Sequence, residues 1–342
     1  MKVLITGIDG YIGTVLAQVL IEKGHEVTGI DTGFYREGWL YNGTAVLPKV
    51  INKDIRAVTT KELKGYDAVI HLADLSNDPL GFLNEKTTYS INHLAAIEFA
   101  KKAKAAGVKR YIYSSSCSVY GIATEDMVTE ESSTNPQTTY AKCKLLVENG
   151  LKEMADNTFT PVILRNATVF GASPRLRLDL VVNSLTGFAF VHKEIRLSSD
   201  GKPWRPLVHI LDVSEAFAAA LTAPAETVHK QIFNVGKNNG NYRIIDVADI
   251  VKTEFPDCEI TVGESNGDTR SYRVSFEKIN TKLPGFSASR DVLYGVKELK
   301  NIFTRVQLTK DQFESRSYTR LKMIEYLSKT GQITSEYLWT EK

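Results

Sequence analysis

The sequence predicts an α/β protein: a Rossmann-type doubly wound parallel sheet with a smaller mixed α/β C-terminal substrate domain. Three observations carry this expectation. Short apolar runs alternate with helical patterns over the first half of the chain, the rhythm of a parallel sheet covered by helices on both faces. Gly7, Gly10 and Gly13 punctuate the junction between the first apolar run and the first helical pattern. Beyond about residue 171 the alternation gives way to longer loops and mixed segments.

Each element follows from local pattern. Val3–Thr6 reads as a strand. Ile12, Val15, Leu16, Val19 and Leu20 then fall on one face of a helix that Gly24 ends. His25–Asp31 is the next strand, and Ala68–Leu72 follows a loop-rich stretch. Tyr89–Ala106 reads as a long helix closed by Gly107, Arg110–Ser114 as a strand, Tyr140–Met154 as a helix and Pro161–Arg165 as a strand. Strand, helix, strand in this order implies right-handed crossovers. Further on, loops are expected around Gly171–Leu178 and Ser198–Pro206, a strand at Ile232–Val235 and a helix at Ile244–Glu254. Residues 256–290 are mixed, and the stretch from about Val292 is helical, charged and rich in aromatics.

Composition narrows the function classes. The 342 residues are 43% hydrophobic and 24% charged, ordinary for a globular protein with a substantial core. Lys plus Arg number 42 against 40 Asp plus Glu, a net charge of +2, so neither nucleic acid nor a membrane surface is an expected partner. No apolar run approaches the roughly 20 residues that span a bilayer. The glycine-interrupted N-terminus reads as strand and turn, not as a signal peptide. Cys117, Cys143 and Cys258 are too few and too irregular for a disulfide framework or a zinc ribbon. The six histidines include no pair four residues apart, so no metal is expected. A cytoplasmic homodimer is the expected setting. The basic run Lys101-Lys102-Ala103-Lys104 lacks interleaved aromatics and reads as a solvated helix face.

The glycine triplet has a chemical purpose. Gly7 permits the tight turn after the strand, Gly10 lets the backbone approach a pyrophosphate, and Gly13 lets the helix pack closely on the sheet. Tyr11 and Ile12 open the helix whose free N–H groups and positive dipole end face the phosphates. Asp31, at the end of the next strand, would accept the adenosine ribose hydroxyls and repel a 2′-phosphate. That favours NAD over NADP, although Arg36 close by could partner a 2′-phosphate. Asp54 would accept from the adenine amino group, with Ile55 beside it.

Tyr140 and Lys144 lie one helical turn apart. A free tyrosine titrates near pH 10, and a neighbouring ammonium favours its phenolate. Ser114-Ser115-Ser116 ends a strand, where ligands of parallel sheets bind. Ser116 would hydrogen-bond the substrate oxygen that Tyr140 deprotonates, with Ser115 its nearest rival.

Together these residues resemble the extended short-chain dehydrogenase/reductase family, in its NAD-dependent sugar-nucleotide epimerase/dehydratase branch. The resemblance rests on Thr-Gly-x-x-Gly-x-x-Gly at 6–13, His-Leu-Ala at 71–73, Ser-Ser-x-x-Val-Tyr-Gly at 115–121 and Tyr-x-x-x-Lys at 140–144. Leu-Arg at 164–165, Trp-Arg-Pro-Leu-Val-His-Ile-x-Asp at 204–212 and Phe-Asn-Val-Gly at 233–236 extend it over about residues 1–290. It implies an NAD-binding domain over 1–170 with a returning segment about 207–235, and a substrate-binding region over 171–206 and 236–342. It also implies tightly held NAD, a nucleoside-diphosphate sugar as substrate and transient oxidation at C4, with Leu72 and Ala73 beside the cofactor and Lys144 on its nicotinamide ribose. Arg205 matches the arginine that pairs with the substrate diphosphate. Arg270, in Asp268-Thr269-Arg270, and less closely Arg273 match the segment that closes over the nucleotide. Ser76 and Asn77 are expected to face the sugar, and the segment Pro174–Asn183, with Asn183, the base. Thr168 stands where relatives often place an Asn that contacts the diphosphate.

The departures bear on reaction type. Cys117 and Ser118 stand where the dehydratases of this branch carry an Asp-Glu pair. Ala172 and Ser173 follow Gly171 where a 3,5-epimerase would want a histidine. Cys117 and Cys143 are therefore expected to be packed thiols. Asp74 interrupts the usual His-Leu-Ala-Ala run. The reading that follows is an NAD-dependent C4 epimerase. The alternatives are an NAD(P)H-dependent 4-keto sugar-nucleotide reductase or dehydrogenase, then a 4,6-dehydratase or a non-catalytic NAD-binding protein.

Overall fold

The computed structural model describes residues 1–42, 48–76, 78–122, 125–263 and 271–340. Among these the strands are β1 Lys2–Thr6, β2 Glu26–Asp31, β3 Lys49–Asn52, β4 Ala68–His71, β5 Arg110–Ser116, β6 Thr160–Asn166, β7 Thr168–Phe170, β8 Glu194–Leu197, β9 Trp204–His209, β10 Ile232–Val235, β11 Asn241–Arg243 and β12 Glu259–Val262. Seven of them form one parallel sheet in the order β10-β6-β5-β4-β1-β2-β3. The order runs outward in both directions from β1 and β4, the doubly wound arrangement, and the strand ends beside the crossover form the crevice where ligands bind.

Both sheet faces are covered, and the alternation of strand residues says by what. Val3, Ile5, Ala68, Ile70, Ile112, Val162 and Leu164 belong to the core shared with the Tyr11–Glu22 and Ile210–Thr222 helices. Leu4, Val69, Tyr111, Tyr113 and Ile163 belong to a second core shared with the Ala96–Ala105 and Thr139–Met154 helices. Buried on both faces, these strands read as continuous apolar runs.

The expected N-terminal elements are present, with ends displaced by one or two residues. The long helix expected from Tyr89 starts earlier, at Glu85, and passes through a π-helical stretch over Ser90–Ala95. The edge strand β3 escaped detection because its residues are exposed or half-buried and lack an apolar run. The region expected as loops around Ser198–Pro206 contains the start of β9, which joins β11 and β7 in a three-stranded sheet, while β8 pairs with β12.

The chain beyond the Val292–Val306 helix folds back over the β2 side of the sheet. Short helices at Lys310–Glu314 and Arg320–Lys329 bring Met323, Ile324, Leu327, Ile333 and Tyr337 against Phe34, Leu75, Leu80 and Ile91. Hydrogen bonds seal the contact. Trp339 Nε1 donates to the Thr32 carbonyl at 2.7 Å, Arg56 Nη1 to the Glu336 carbonyl at 2.8 Å and Asn84 Nδ2 to the Ser335 carbonyl at 2.9 Å.

No helix among the described residues is long and apolar enough to cross a membrane. The described residues hold no cluster of His, Cys, Asp and Glu suited to a metal ion.

Candidate active site

A cleft of about 570 Å³ opens at the C-terminal ends of β1, β2, β4, β5 and β6. Its floor is the glycine turn. Gly7 has φ +73°, and a Cβ there would stand 2.9 Å from the Ala73 nitrogen at the end of β4. A Cβ on Gly13 would meet the Gly7 carbonyl oxygen at 2.4 Å, so only glycine lets the helix start this close to the turn. Gly10 is the N-cap of the Tyr11–Glu22 helix and provides no capping side chain. The first N–H groups of that helix are thus left to a ligand. A cradle of this shape, with an uncapped helix end and an acid at the end of β2, fits a dinucleotide.

That acid is Asp31. Its Oδ1 accepts from Gly33 N–H at 2.7 Å and its Oδ2 from Asp9 N–H at 3.0 Å. Burial pushes its pKa up, against the lowering effect of the Gly33 hydrogen bond. Two backbone donors fix the carboxylate while each oxygen keeps a lone pair for a ribose hydroxyl. Tyr11, Ile12, Asp54, Ile55, Leu72 and Ala73 also line the cleft. The Asp54 carboxylate, expected to serve the adenine amino group, is occupied by Arg56 through Nε at 3.0 Å and Nη2 at 2.7 Å.

At the other end of the cleft stand Ser116, Tyr140 and Lys144. Lys144 Nζ lies 5.4 Å from the Tyr140 ring centre and 4.7 Å from that of Tyr113. Burial raises the Tyr140 pKa, Lys144 opposes this, and the Asp74 carboxylate raises it further. Lys144 is itself only 2% exposed, and its ammonium donates to the Asp74 carboxylate and to the Ser114 carbonyl. Burial alone would lower its pKa, but Asp74 and the facing Tyr140 more than offset this and leave it raised. Burial in turn pushes the Asp74 carboxyl up to about 6, despite Lys144. The residue that interrupts the His-Leu-Ala-Ala run is thus the direct partner of Lys144. Ser116 Oγ accepts from Ser118 N–H at 3.1 Å, so it caps the short turn after β5 as well as lining the cleft.

Beneath this end lies a buried polar network. Glu148 is 0% exposed. It accepts from Ser115 Oγ at 2.5 Å and from Arg165 Nη2 at 2.7 Å, while Arg165 Nη1 donates to Tyr120 Oη at 3.0 Å and Tyr120 Oη to Asn234 Oδ1 at 2.7 Å. Ser115 therefore bonds to the interior. Cys117 is packed, its thiol donating to the Arg165 carbonyl at 3.2 Å, and burial pushes its pKa well up. Burial pushes the Cys143 thiol up to about 12.

Of the residues expected to face substrate, Ser76, Ser115, Ser116, Thr168 and Arg205 line the cleft. Arg205 Nη1 donates to the Trp204 carbonyl at 3.0 Å. Asn183 does not reach it. Its amide donates to Tyr11 Oη at 3.1 Å and to the Arg177 carbonyl at 3.0 Å, and its oxygen accepts from Gly171 N–H at 3.0 Å. Fully buried, Asn183 braces the loop between β7 and the Val181–His192 helix instead of facing a base. Asn77 and Arg270 lie outside the described residues.

Two arginines in the cleft were not singled out: Arg177, within the segment expected to face the base, and Arg320. Arg177 is held by Asp179 through Nε at 2.9 Å and Nη2 at 3.0 Å, and its Nη1 donates to Ser76 Oγ at 3.2 Å. Arg320 comes from the C-terminal helix. Arg177 sits in a loop, and Arg320 in a segment with no recognisable motif, so no spacing rule pointed to either.

Fold and cleft define an NAD-dependent enzyme of the short-chain dehydrogenase type. The chain belongs to the NAD dependent epimerase/dehydratase family, whose model matches residues 3–236. It is 28% identical over 302 residues to a UDP-glucose 4-epimerase of Corynebacterium glutamicum, covering 83% of this chain and 90% of that protein. With a UDP-glucose 4-epimerase of Bacillus subtilis it shares 26% over 286 residues, covering 72% and 80%. Its fold is similar to that of a UDP-glucuronic acid 4-epimerase of Bacillus cereus solved with UDP-glucuronic acid and NAD, at TM-score 0.77 and 23% identity over 90% of this chain and 100% of the other.

Proposed function

We propose that this chain inverts C4 of a nucleoside-diphosphate sugar through a transient 4-keto intermediate, with no net oxidation. The observation that carries the reading is that Tyr140 lines the same cleft as the glycine cradle, with the buried Lys144 ammonium 5.4 Å from its ring centre. The curated relatives named as 4-epimerases support it. NAD, when bound, supplies the hydride acceptor that later returns hydride to the opposite face of the sugar. Tyr140 takes the C4 hydroxyl proton and gives it back. Lys144 keeps the phenolate accessible, Ser116 orients the C4 oxygen, and Arg205 pairs with the substrate diphosphate, a role suited to a guanidinium. Gly7, Gly10, Gly13, Asp31, Leu72 and Ala73 hold the dinucleotide. Residues 1–170 with the returning segment form its domain, and the remainder forms the substrate side.

The same reading includes a cytoplasmic homodimer. Three free, buried cysteines fit a reducing compartment. Leu94 and Leu146 are 58% and 40% exposed on two neighbouring helical segments, an apolar face suited to a second copy. Light scattering on the purified protein is expected to give twice the chain mass.

The direct test is product analysis with UDP-sugars. We expect a product of unchanged mass, inverted at C4, formed without added cofactor by protein that retains NAD. A product lighter by one water, or consumption of added reduced cofactor, would place the enzyme in another branch.

The Asp74–Lys144 pair makes a pH prediction. Asp74 raises both the Tyr140 and the Lys144 pKa. In Asp74→Asn both should fall. The acid limb, set by forming the phenolate, and the alkaline limb, set by losing the ammonium, should therefore both move to lower pH. Rate profiles of the two proteins decide this, and limbs that stay in place would remove Asp74 from the proton path.

A further inference from the structure

Arg320 lies 84 positions beyond the end of the family match at residue 236, yet it lines the same cleft as Gly10 and Asp31. Its side chain is 4% exposed, and its guanidinium stacks 3.9 Å from the centre of the Tyr35 ring. Among the described residues it makes no hydrogen bond or ion pair. The contrast with its neighbours is sharp. Arg177 is neutralised by Asp179, and Arg175 donates to the Tyr35 carbonyl at 3.0 Å. Buried arginines almost always have such partners, because a desolvated charge without compensation costs several kcal/mol. Burial pulls the Arg320 pKa down to about 10, with Tyr35, Asp179 and Asp31 opposing from a distance and Arg177 adding to the fall. A cation of this kind, walled by an aromatic ring and facing a cleft, is poised for an anion that arrives with a ligand.

From these observations we infer that the C-terminal segment around 310–340 is a wall of the dinucleotide site, and that Arg320 binds the dinucleotide's diphosphate. The inference rests on the reading of the cleft as the NAD site. Two observations and one argument place the anion. Arg320 is within electrostatic reach of Asp31, which marks the adenosine ribose end. The uncapped helix start at Gly10, the other half of a diphosphate cradle, lines the same cleft. A 2′-phosphate would instead lie against the Asp31 carboxylate and be repelled. The segment that delivers Arg320 is anchored around that end: Trp339 packs 5.5 Å from the Phe34 ring and bonds the Thr32 carbonyl, and the Gly38 backbone meets the Ser317 carbonyl closely enough to exclude a Cβ. Clasped from this side, NAD would dissociate slowly, as a redox-neutral reaction requires.

The test uses the full-length protein and its Arg320→Gln and Arg320→Lys variants, freed of nucleotide. Calorimetry should show NAD and ADP-ribose bound about 10–100-fold more weakly by Arg320→Gln, the scale of a lost charge-assisted hydrogen bond, with Arg320→Lys between it and the parent. Adenosine, which lacks the diphosphate, should bind all three alike and so reports an intact site. The nucleotide-free melting temperature of Arg320→Gln should be equal or higher, since a buried charge without a hydrogen-bonded partner is removed, while its rise on adding NAD shrinks. Unchanged NAD affinity in Arg320→Gln would overturn the inference. So would an equal loss for adenosine, or a loss confined to UDP or to NADP, which would assign the guanidinium to the sugar nucleotide or to the ribose 2′ position. Failure of the parent protein to bind NAD would instead refute the reading of the cleft itself.

Discussion

Tyr140→Phe is expected to lower turnover about 10²–10⁴-fold, the usual scale for loss of a positioned general base, or roughly 3–5.5 kcal/mol at the barrier. The substitution removes one oxygen from a ring at the cleft wall. Among the described residues the hydroxyl forms no hydrogen bond that holds the fold, so melting temperature and NAD affinity should stay close to the parent. Its pKa is the balance of burial and Asp74, which raise it, against Lys144, which lowers it. Lys144→Ala should therefore also lose rate, and it differs in a second readout. It would leave the Asp74 carboxylate buried without its cation, so stability should fall as well. Steady-state kinetics with a UDP-sugar, beside thermal melts of both variants, separate the two roles. A Tyr140→Phe enzyme within a few-fold of the parent rate would show that the proton leaves by another route.

Strand, glycine turn, helix and the Tyr140–Lys144 spacing were legible because each is a local pattern: a period, a turn that needs glycine, a pair one helical turn apart. What the sequence hid is set by contacts between distant segments. Asp74 was visible only as an odd residue in an apolar run, and nothing in one sequence shows that its carboxylate meets Lys144, 70 positions on. Asn183 was expected to face a base only as part of the segment Pro174–Asn183. In the fold its amide is consumed by Tyr11, Gly171 and the Arg177 carbonyl. Arg320 is the extreme case. Only the return of the C-terminal chain across β2 brings it to the cleft, and that path is fixed by tertiary packing of Met323, Ile324 and Leu327, not by any local rule.

Glu148 and Arg165 define the second large effect. Glu148 sits on the same helix as Tyr140 and Lys144, and Arg165 is the penultimate residue of β6. The pair is fully inside the protein, with side chains 0% and 3% exposed. Burial alone would disfavour the Arg165 charge, but the Glu148 carboxylate more than offsets this and leaves its pKa raised. Arg165→Met keeps the volume and removes the cation. Glu148 is then left with the Ser115 hydroxyl as its remaining partner in the network, and Tyr120 loses a donor. Breaking a buried pair from one side typically costs about 3–5 kcal/mol, because a charge remains without compensation. The expected result is a loss of that size in denaturant unfolding, with the helix bearing Tyr140 and Lys144 among the elements affected and turnover reduced accordingly. The double variant Glu148→Gln/Arg165→Met should recover much of the stability, since neither charge then remains buried. The sign of that coupling is the decisive observation. If the double variant were less stable than Arg165→Met alone, the carboxylate would be held by the Ser115 hydrogen bond and not by the ion pair, and the network would not be what fixes the catalytic helix to the sheet.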